Sequence, residues 1–444
     1  MTLRSTPNLW LTLLALLVAG ALVLPLTARA QAARGDDAIV YTVRKGDTLI
    51  SLARAYLIRE ADWKQVQKRN RIANPHRLSV ASRLSLPIRL LKSRPASATV
   101  AAFRGEAQVV LAGQPARAVT MGQVLGEGAR VSTGPASSLS LALTDGSVIT
   151  LPSNSALRIA RLRKLLITDS IDYDLALESG SVRSRVTPFR NRDDRFRLRN
   201  PIAVSAVRGT DFRNHYDAAT ATARAELIEG GIGITADART NETRLAPEFG
   251  AVIGKTGAIA VEPLLPAPVV TTGSGVQRAP TLAFGVDAMP DATGYRLQIA
   301  RDSGFVDIVE DIATTVPVFT LAALANGNYF ARFTAIAASG LEGVPGTVAF
   351  RRRLATATQG AVPGEEGYVF RWMGSGEGVR RYHFQLRSAD SAVFIVDEAG
   401  LAGSSIVLSD LPPGRYQWRV GTTTHSAEET DTEWSQFESF VLDE

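Results

Sequence analysis

Between Leu139 and Leu151 the chain reads LSLALTDGSVITL, with Leu139, Leu141 and Leu143 in alternation, an Asp145-Gly146 pair, and a second apolar run. A period of two places alternate side chains on one face of a strand. Asp-Gly between two such runs is a strong hairpin signal, because glycine takes the positive φ that the tight turn requires. The same pattern fills residues 99–261, in TVAAFRGEAQVVL, SSLSLALTDGSVITLPSNSALRI, YDLALESGSVRSRV, FRLRNPIAVSAVRGTDFRN and AELIEGGIGITA. Short strands separated by tight turns predict one all-β domain here.

At 444 residues the chain is too long for one core; a prior of about 150 residues per domain suggests roughly three or more. Residues 1–30 stand apart: Arg4 precedes the apolar run LWLTLLALLVAGALVL, and ARAQ offers small residues at Ala28 and Ala30. That is the pattern of a signal peptide, so the mature chain is expected to be exported, with no transmembrane segment after cleavage. The run also meets the length of about 20 residues that an uncleaved anchor needs, and the small-residue site favours cleavage.

There is no cysteine, which excludes disulfides, a lipid-modified N-terminal Cys, thiol nucleophiles and thiolate metal sites. The net charge of +6 falls to +4 without Arg4 and Arg29. Basic residues collect in RIARLRK (158–164) and between Arg183 and Arg213. In an exported protein these suggest a solvated strand face or attraction to anionic envelope polymers, and no nucleic-acid partner.

The stretch YTVRKGDTLISLARAY begins at Tyr41. Tyr41 and Val43 alternate with Thr42 and Arg44 as in a half-buried strand, and KGDT turns the chain at Gly46. Asp47 or Thr48 can cap a helix whose Leu49, Leu52, Ala53 and Tyr56 share one face. A second helix is expected over 61–70, with Trp63, Val66 and Asn70 on one side, then a loop, NPHRLSVASRLSLP, ending in a strand at Pro87.

Strand, helix, helix, strand in this order, with NRIANP and RLSLP, resembles a LysM domain over 41–92. The resemblance implies a shallow groove for the N-acetylglucosamine-containing glycan of peptidoglycan or chitin. It assigns glycan contact to Gly46, Asp47, Thr48 and Leu49 on one side, and to Asn74, Pro75, His76, Arg77 and Leu78 on the other. Backbone N–H groups at the helix start would meet N-acetyl carbonyls, and Leu49 and Leu78 the sugar and methyl faces. The family commonly has Gly-Gln before its last strand, where this chain has Ala81-Ser82. If that glycine needs a positive φ, Ala81 distorts the loop.

The middle domain, 99–261, resembles the FecR domain through GEGARVSTGPASSLSLALTDGSVITLPSNSALRI, LESGSVRSRV and PIAVSAVRGTDF (201–212). In iron-uptake regulators that domain is the periplasmic part of a sensor. With the apolar segment already at residue 9, transmembrane anti-sigma regulation is not expected. In AVRGTDF the reading is structural: Ala206, Val207 and Phe212 point inward, Gly209 turns the chain, and Arg208 with Asp211 tie strand ends.

Residues 262–275, rich in Pro, Gly and Thr, read as a linker. Beyond it TLAFGVDAMPDATGYRLQIARDSGFVDIVED aligns with YVFRWMGSGEGVRRYHFQLRSADSAVFIVDE at a spacing of close to 86 residues, which suits a duplicated small domain. Tyr295, Leu297 and Ile299, like Tyr382, Phe384 and Leu386, alternate with polar residues. Two β-sandwich modules, 276–353 and 362–444, are predicted; they resemble fibronectin type III-like modules. Val286 in the first stands where the second has Trp372. Trp372, Trp418 and Trp434 are expected in cores or at edges rather than on a sugar platform.

No catalytic constellation emerges. His76, His215, His383 and His425 are scattered without metal-ligand spacing, no GxSxG elbow occurs, and no cofactor motif is present. Glu226 and Glu229 are the nearest approach to a muramidase carboxylate pair, and read as strand or turn residues. The expectation is a multidomain, mainly β, non-enzymatic envelope protein, periplasmic or wall-associated. It would bind peptidoglycan through 41–92 and display β modules to an envelope protein partner. The alternatives are a signal-receiving periplasmic component and, behind it, a cell-wall hydrolase.

Overall fold

The computed structural model describes residues 37–236, 241–279, 281–322, 324–353, 357–364, 367–373, 379–425 and 430–443. The expected signal segment lies outside them. The first module follows the predicted order: strand Ala38–Thr42 pairs antiparallel with Arg83–Pro87, and helices α1 (Leu49–Tyr56) and α2 (Trp63–Asn70) lie between. Thr48 starts α1 by a reciprocal cap: its hydroxyl accepts the Ser51 N–H at 3.0 Å, and the Ser51 hydroxyl accepts the Thr48 N–H at 3.0 Å. Asn70 ties α2 to the sheet, its carboxamide accepting from Ser85 N–H at 2.7 Å and donating to the Ser85 carbonyl at 2.9 Å.

Among the described residues, strands from Ser93–Pro95 to Ile259–Pro263 form ladders that close into one barrel. Its spine is the 15-residue strand Ile171–Arg185. The first half pairs with Ala156–Leu165 and, in parallel, with Arg195–Asn200; the second half pairs with Val148–Leu151 and Asp211–Asp217. Gly180 stands at the change-over with φ 77°, where a Cβ would lie 2.4 Å from the Asn154 carbonyl oxygen, so glycine is required. The hairpin at Asp145-Gly146 forms as expected, and Leu139, Leu141 and Leu143 enter the core. Tyr173, Phe196 and Phe212 meet there edge to face at 6.4 and 6.3 Å.

Two sandwiches complete the chain. The first sets the sheet Val270–Thr272, Thr281–Val286, Val318–Ala322 against a five-stranded sheet that includes Ala292–Ala300 and Gly327–Ala337. The second repeats this with Gly367–Met373 facing Val379–Ser388 and Gly414–His425. The duplication extends to polar detail. Tyr329 donates to the Ala325 carbonyl and Tyr416 to the Pro412 carbonyl, each four residues back. Arg332–Gln298–Asp311 in the first recurs as Arg419–Gln385–Asp397 in the second. The stretch 262–275 is more ordered than a linker: Val270–Thr272 and Gly275–Gln277 are strands of the first sandwich, and Leu265 accepts from Val344 N–H at 2.8 Å.

The first module, the barrel and the first sandwich are docked rather than strung. Arg192 and Arg195 donate to the Val40 and Ala38 carbonyls at 2.7 and 2.6 Å, Arg197 pairs with Asp37, and Leu165 of the barrel is buried in the core of the first module. At the other side, Arg213 of the barrel reaches Glu342 Oε2 at 3.4 Å and the Gly343 carbonyl at 2.8 Å. Arg296 grips Asp311 by two bonds of 2.7 Å and also meets Glu342 at 2.5 Å. Ser140 donates to the Val306 carbonyl at 2.6 Å.

Burial pushes Glu226, enclosed at this interface, up to about 7, while Arg213 pulls the other way. Arg224 and Glu342 are its other charged neighbours. Burial also acts to raise Glu342, but Arg296 and Arg213 hold it down to about 2. The unfolded Glu226 ionises near 4.5, so between that pH and about 7 the unfolded state binds fewer protons and stability falls as pH rises. The slope is at most about 1.4 kcal/mol per pH unit. Glu342 contributes its own loss only below about 4.5, outside this window. His215, held down to about 4 by burial, acts with the opposite sign from there to about 6.5, so the Glu226 effect is read by difference: Glu226→Gln, which keeps an acceptor for the Glu342 N–H, is expected to gain on its parent in denaturation midpoint from pH 5 to 8. Parallel curves for the two proteins would contradict it.

Candidate functional site

The two stretches assigned to a groove, 46–49 and 74–78, are joined by one backbone bond: Leu49 N–H donates to the Pro75 carbonyl at 2.8 Å. The first stretch is fixed from within. Asp47 accepts from Arg44 N–H at 2.7 Å and from the Tyr41 hydroxyl at 2.8 Å. Burial and this carboxylate push the Tyr41 hydroxyl up to about 12. The second is an Asx turn in which Asn74 Oδ1 accepts the His76 N–H at 2.9 Å. Gly46, with φ 91°, Asn74, His76 and Arg77 are exposed; Asp47, Thr48, Pro75 and Leu78 are half-buried.

One expectation needs correction. Leu49 is 1% exposed and belongs to the module's core, so its side chain cannot meet a sugar face. The helical period already placed it beside Leu52 and Ala53, and one side chain cannot serve both faces. Leu78 packs at the edge of the same core while remaining half-exposed. The barrel contacts run through Asp37, Ala38, Val40 and Lys92, none of which belongs to either turn.

Ala81 takes φ 66°, the left-handed conformation that a glycine would supply. Its N–H donates to the Val43 carbonyl, and Val43 N–H to the Ser82 carbonyl, both at 2.9 Å. These bonds hold the loop in place against a cost of about 1–2 kcal/mol for an L residue. Ala81→Gly is expected to stabilise the module by about 0.5–1 kcal/mol, after the greater chain entropy of unfolded glycine is subtracted. A thermal midpoint that fails to rise would contradict this.

In the barrel, AVRGTDF forms a brace between strands. Gly209, with φ 63°, lies against Pro188, where a Cβ would sit 2.9 Å from Cα. Thr210, which the sequence reading passed over, is buried and donates to the Gly231 carbonyl at 3.0 Å while accepting the Arg208 N–H. Val207 and Phe212 point inward as expected, but Ala206 is exposed. Asp211 ties strands through Arg183, at 2.8 and 3.1 Å, and not through Arg208, whose side chain is exposed.

The basic run 158–164 is largely neutralised by carboxylates of the neighbouring strand. Arg161 and Arg199 flank Asp174 at 2.7 and 2.6 Å, and Arg163 meets Asp172 at 3.0 Å. Its solvated-face reading therefore gives way to a partly buried ion ladder. His215 bonds the Ser181 hydroxyl at 2.8 Å, and burial pushes it down to about 4. Glu226 is enclosed beneath the first sandwich and Glu229 is exposed at a strand end, so no groove open to a polymer holds both. Trp372 and Trp418 are core residues, and Trp434 lies half-buried at 4.3 Å from the Arg419 guanidinium.

Residues 41–87 match the LysM domain model, and residues 129–233 match that of the FecR protein. No curated protein matches the chain. A putative anti-sigma factor from Parabacteroides distasonis is 18% identical over 30% of this chain and 59% of its own, with TM-score 0.26. A two-domain fibronectin type III segment of chicken tenascin is 16% identical over 40% of this chain and 98% of its own, with TM-score 0.24. These scores are too low to bear on the arrangement of the whole chain. No helix among the described residues is long and apolar enough to cross a membrane. LysM and FecR are non-catalytic binding and signalling families, and the chain carries one domain of each, LysM at 41–87 and FecR across 129–233, ahead of two β-sandwich modules.

Proposed function

We propose that the protein is a non-enzymatic component of the cell envelope that holds the N-acetylglucosamine-containing strands of peptidoglycan in its LysM groove. Exported and wall-associated, it presents the FecR barrel and the sandwiches to a protein partner. The observation that supports this reading is the Leu49–Pro75 backbone bond, which brings two distant turns together away from Asp37, Ala38, Val40 and Lys92, through which the module meets the barrel. Asp47 and Thr48 set the shape of the first turn and Asn74 that of the second. His76, Arg77 and Leu78 supply side chains to the ligand, and Leu49 supplies only backbone.

The test is co-sedimentation of the mature protein, from Gln31, with purified insoluble peptidoglycan, beside a His76→Ala, Arg77→Ala double variant. Both side chains are exposed, so the variant spares the core. Pelleting of the parent and a several-fold loss in the variant support the groove. If neither protein pellets, the module is structural. The FecR match then favours a second reading, a signal-receiving periplasmic component whose barrel reads an outer-membrane partner.

A further inference from the structure

Between the FecR barrel and the first sandwich lies a cavity of about 50 Å³, several times the roughly 10–15 Å³ that one water needs. Its walls include Arg183, Arg213 and Arg224 from the barrel and Arg296 and Arg332 from the sandwich. Four carboxylates stand among these five guanidiniums. Asp211 is taken by two bonds from Arg183, Asp311 by two from Arg296, Glu342 is shared by Arg296 and Arg213, and Glu226 lies 3.7 Å from Arg213. Positive charge is in excess, and the excess falls on Arg332.

Arg332 is 4% exposed. Its Nε and Nη2 share one neutral acceptor, Gln298 Oε1, at 3.2 and 2.6 Å, and its guanidinium lies 4.0 Å from the centre of the Phe305 ring. Among the described residues no carboxylate pairs with it and nothing accepts from Nη1. The Nε of Arg213 is likewise buried without an acceptor. Asp211 acts on Arg332 only at a distance, and a buried charge without a directly paired counter-charge is among the costliest features a fold can keep. Burial, and then the like charges of Arg183 and Arg213, push Arg332 well below the usual guanidinium range. The duplicate in the second sandwich, Arg419, bonds Gln385 through its Nε but is half-exposed, so its charge is not shut away from solvent.

We propose that this cavity binds an inorganic oxyanion of phosphate size, held by Arg332 with Arg183 and Arg224, and that the bound anion clamps the first sandwich to the barrel. Two or three acceptor oxygens would meet the free guanidinium donors, and the charge would balance the buried excess. A ligand that binds only the docked state stabilises it in proportion to its occupancy.

The experiment uses the whole mature chain, dialysed free of phosphate and titrated with sodium phosphate at low millimolar concentration against sodium chloride of matched ionic strength. Thermal midpoint and ³¹P line width are both recorded. A saturable rise in midpoint with phosphate alone, and broadening of the phosphate resonance, are expected. Arg332→Gln should weaken the apparent affinity at least tenfold, and Arg208→Gln, on another exposed wall, should leave it unchanged. If Arg332→Gln fails to fold, Arg224→Gln at the half-buried rim serves in its place. The line width of the parent protein needs no variant. No phosphate effect beyond that of chloride, or an unchanged affinity in the Arg332 or Arg224 variant, would overturn the assignment.

Discussion

Arg213→Ala is expected to destabilise the docked barrel and first sandwich by about 3–5 kcal/mol, the usual cost of removing one partner from a buried ion pair. Arg213 is 8% exposed and is the barrel side chain that joins the most groups across the interface. It pairs with Glu226 at 3.7 Å and Glu342 at 3.4 Å, and it donates to the Glu342 and Gly343 carbonyls. Its loss leaves Glu226 buried with no cation in pairing distance, and leaves two sandwich carbonyls without a donor. Arg213→Met, Glu226→Gln should recover a large part of the loss, because replacing a buried pair as a unit removes the stranded charge. Urea denaturation gives the energies, and cleavage by a protease along 262–275 reports undocking. A loss below about 1 kcal/mol would mean that apolar contact holds the interface, chiefly Leu341 and Leu264 packed over Gly250.

What the sequence disclosed was local. The cap at Thr48, the turn at Gly146 and the alternation through Tyr295, Leu297 and Ile299 each depend on residues a few positions apart, and all three appear in the structure. The hidden features depend on partners far along the chain. Arg199 reads as free charge until the parallel pairing of Arg195–Asn200 with Ile171–Arg185 brings Asp174 beside it. Composition marked 262–275 as a linker, but a content of Pro, Gly and Thr says nothing about whether the stretch pairs as strand. The alternation found the inner faces of both sandwiches and called both outer faces polar. It could not tell that the barrel covers the outer face of the first, so Arg296, Gln298 and Arg332 form a buried network there. At the groove, sequence located the two turns, and only the fold showed that Leu49 belongs beneath them.

The last prediction separates core from carbohydrate contact in the second sandwich. Trp418→Ala is expected to cost that module about 3–5 kcal/mol, as large-to-small substitution of a buried aromatic does. Trp418 is fully buried, its ring 5.2 Å from Phe370 and 5.8 Å from Phe384, in a core that also holds Trp372 and Val420. The cavity left would be lined by rings that cannot all close on it. Trp434→Ala should cost about 1 kcal/mol or less, because Trp434 is half-buried and gives up only edge contacts with Arg419, His383 and Gly421. Neither change touches 46–49 or 74–78, so pelleting with peptidoglycan should be unaltered in both. Near-ultraviolet circular dichroism and urea titration measure the first effect, and co-sedimentation the second. A Trp418→Ala protein as stable as its parent but unable to pellet would transfer the glycan contact to the sandwich, because a side chain that ligand binding needs and folding does not must stand at the surface.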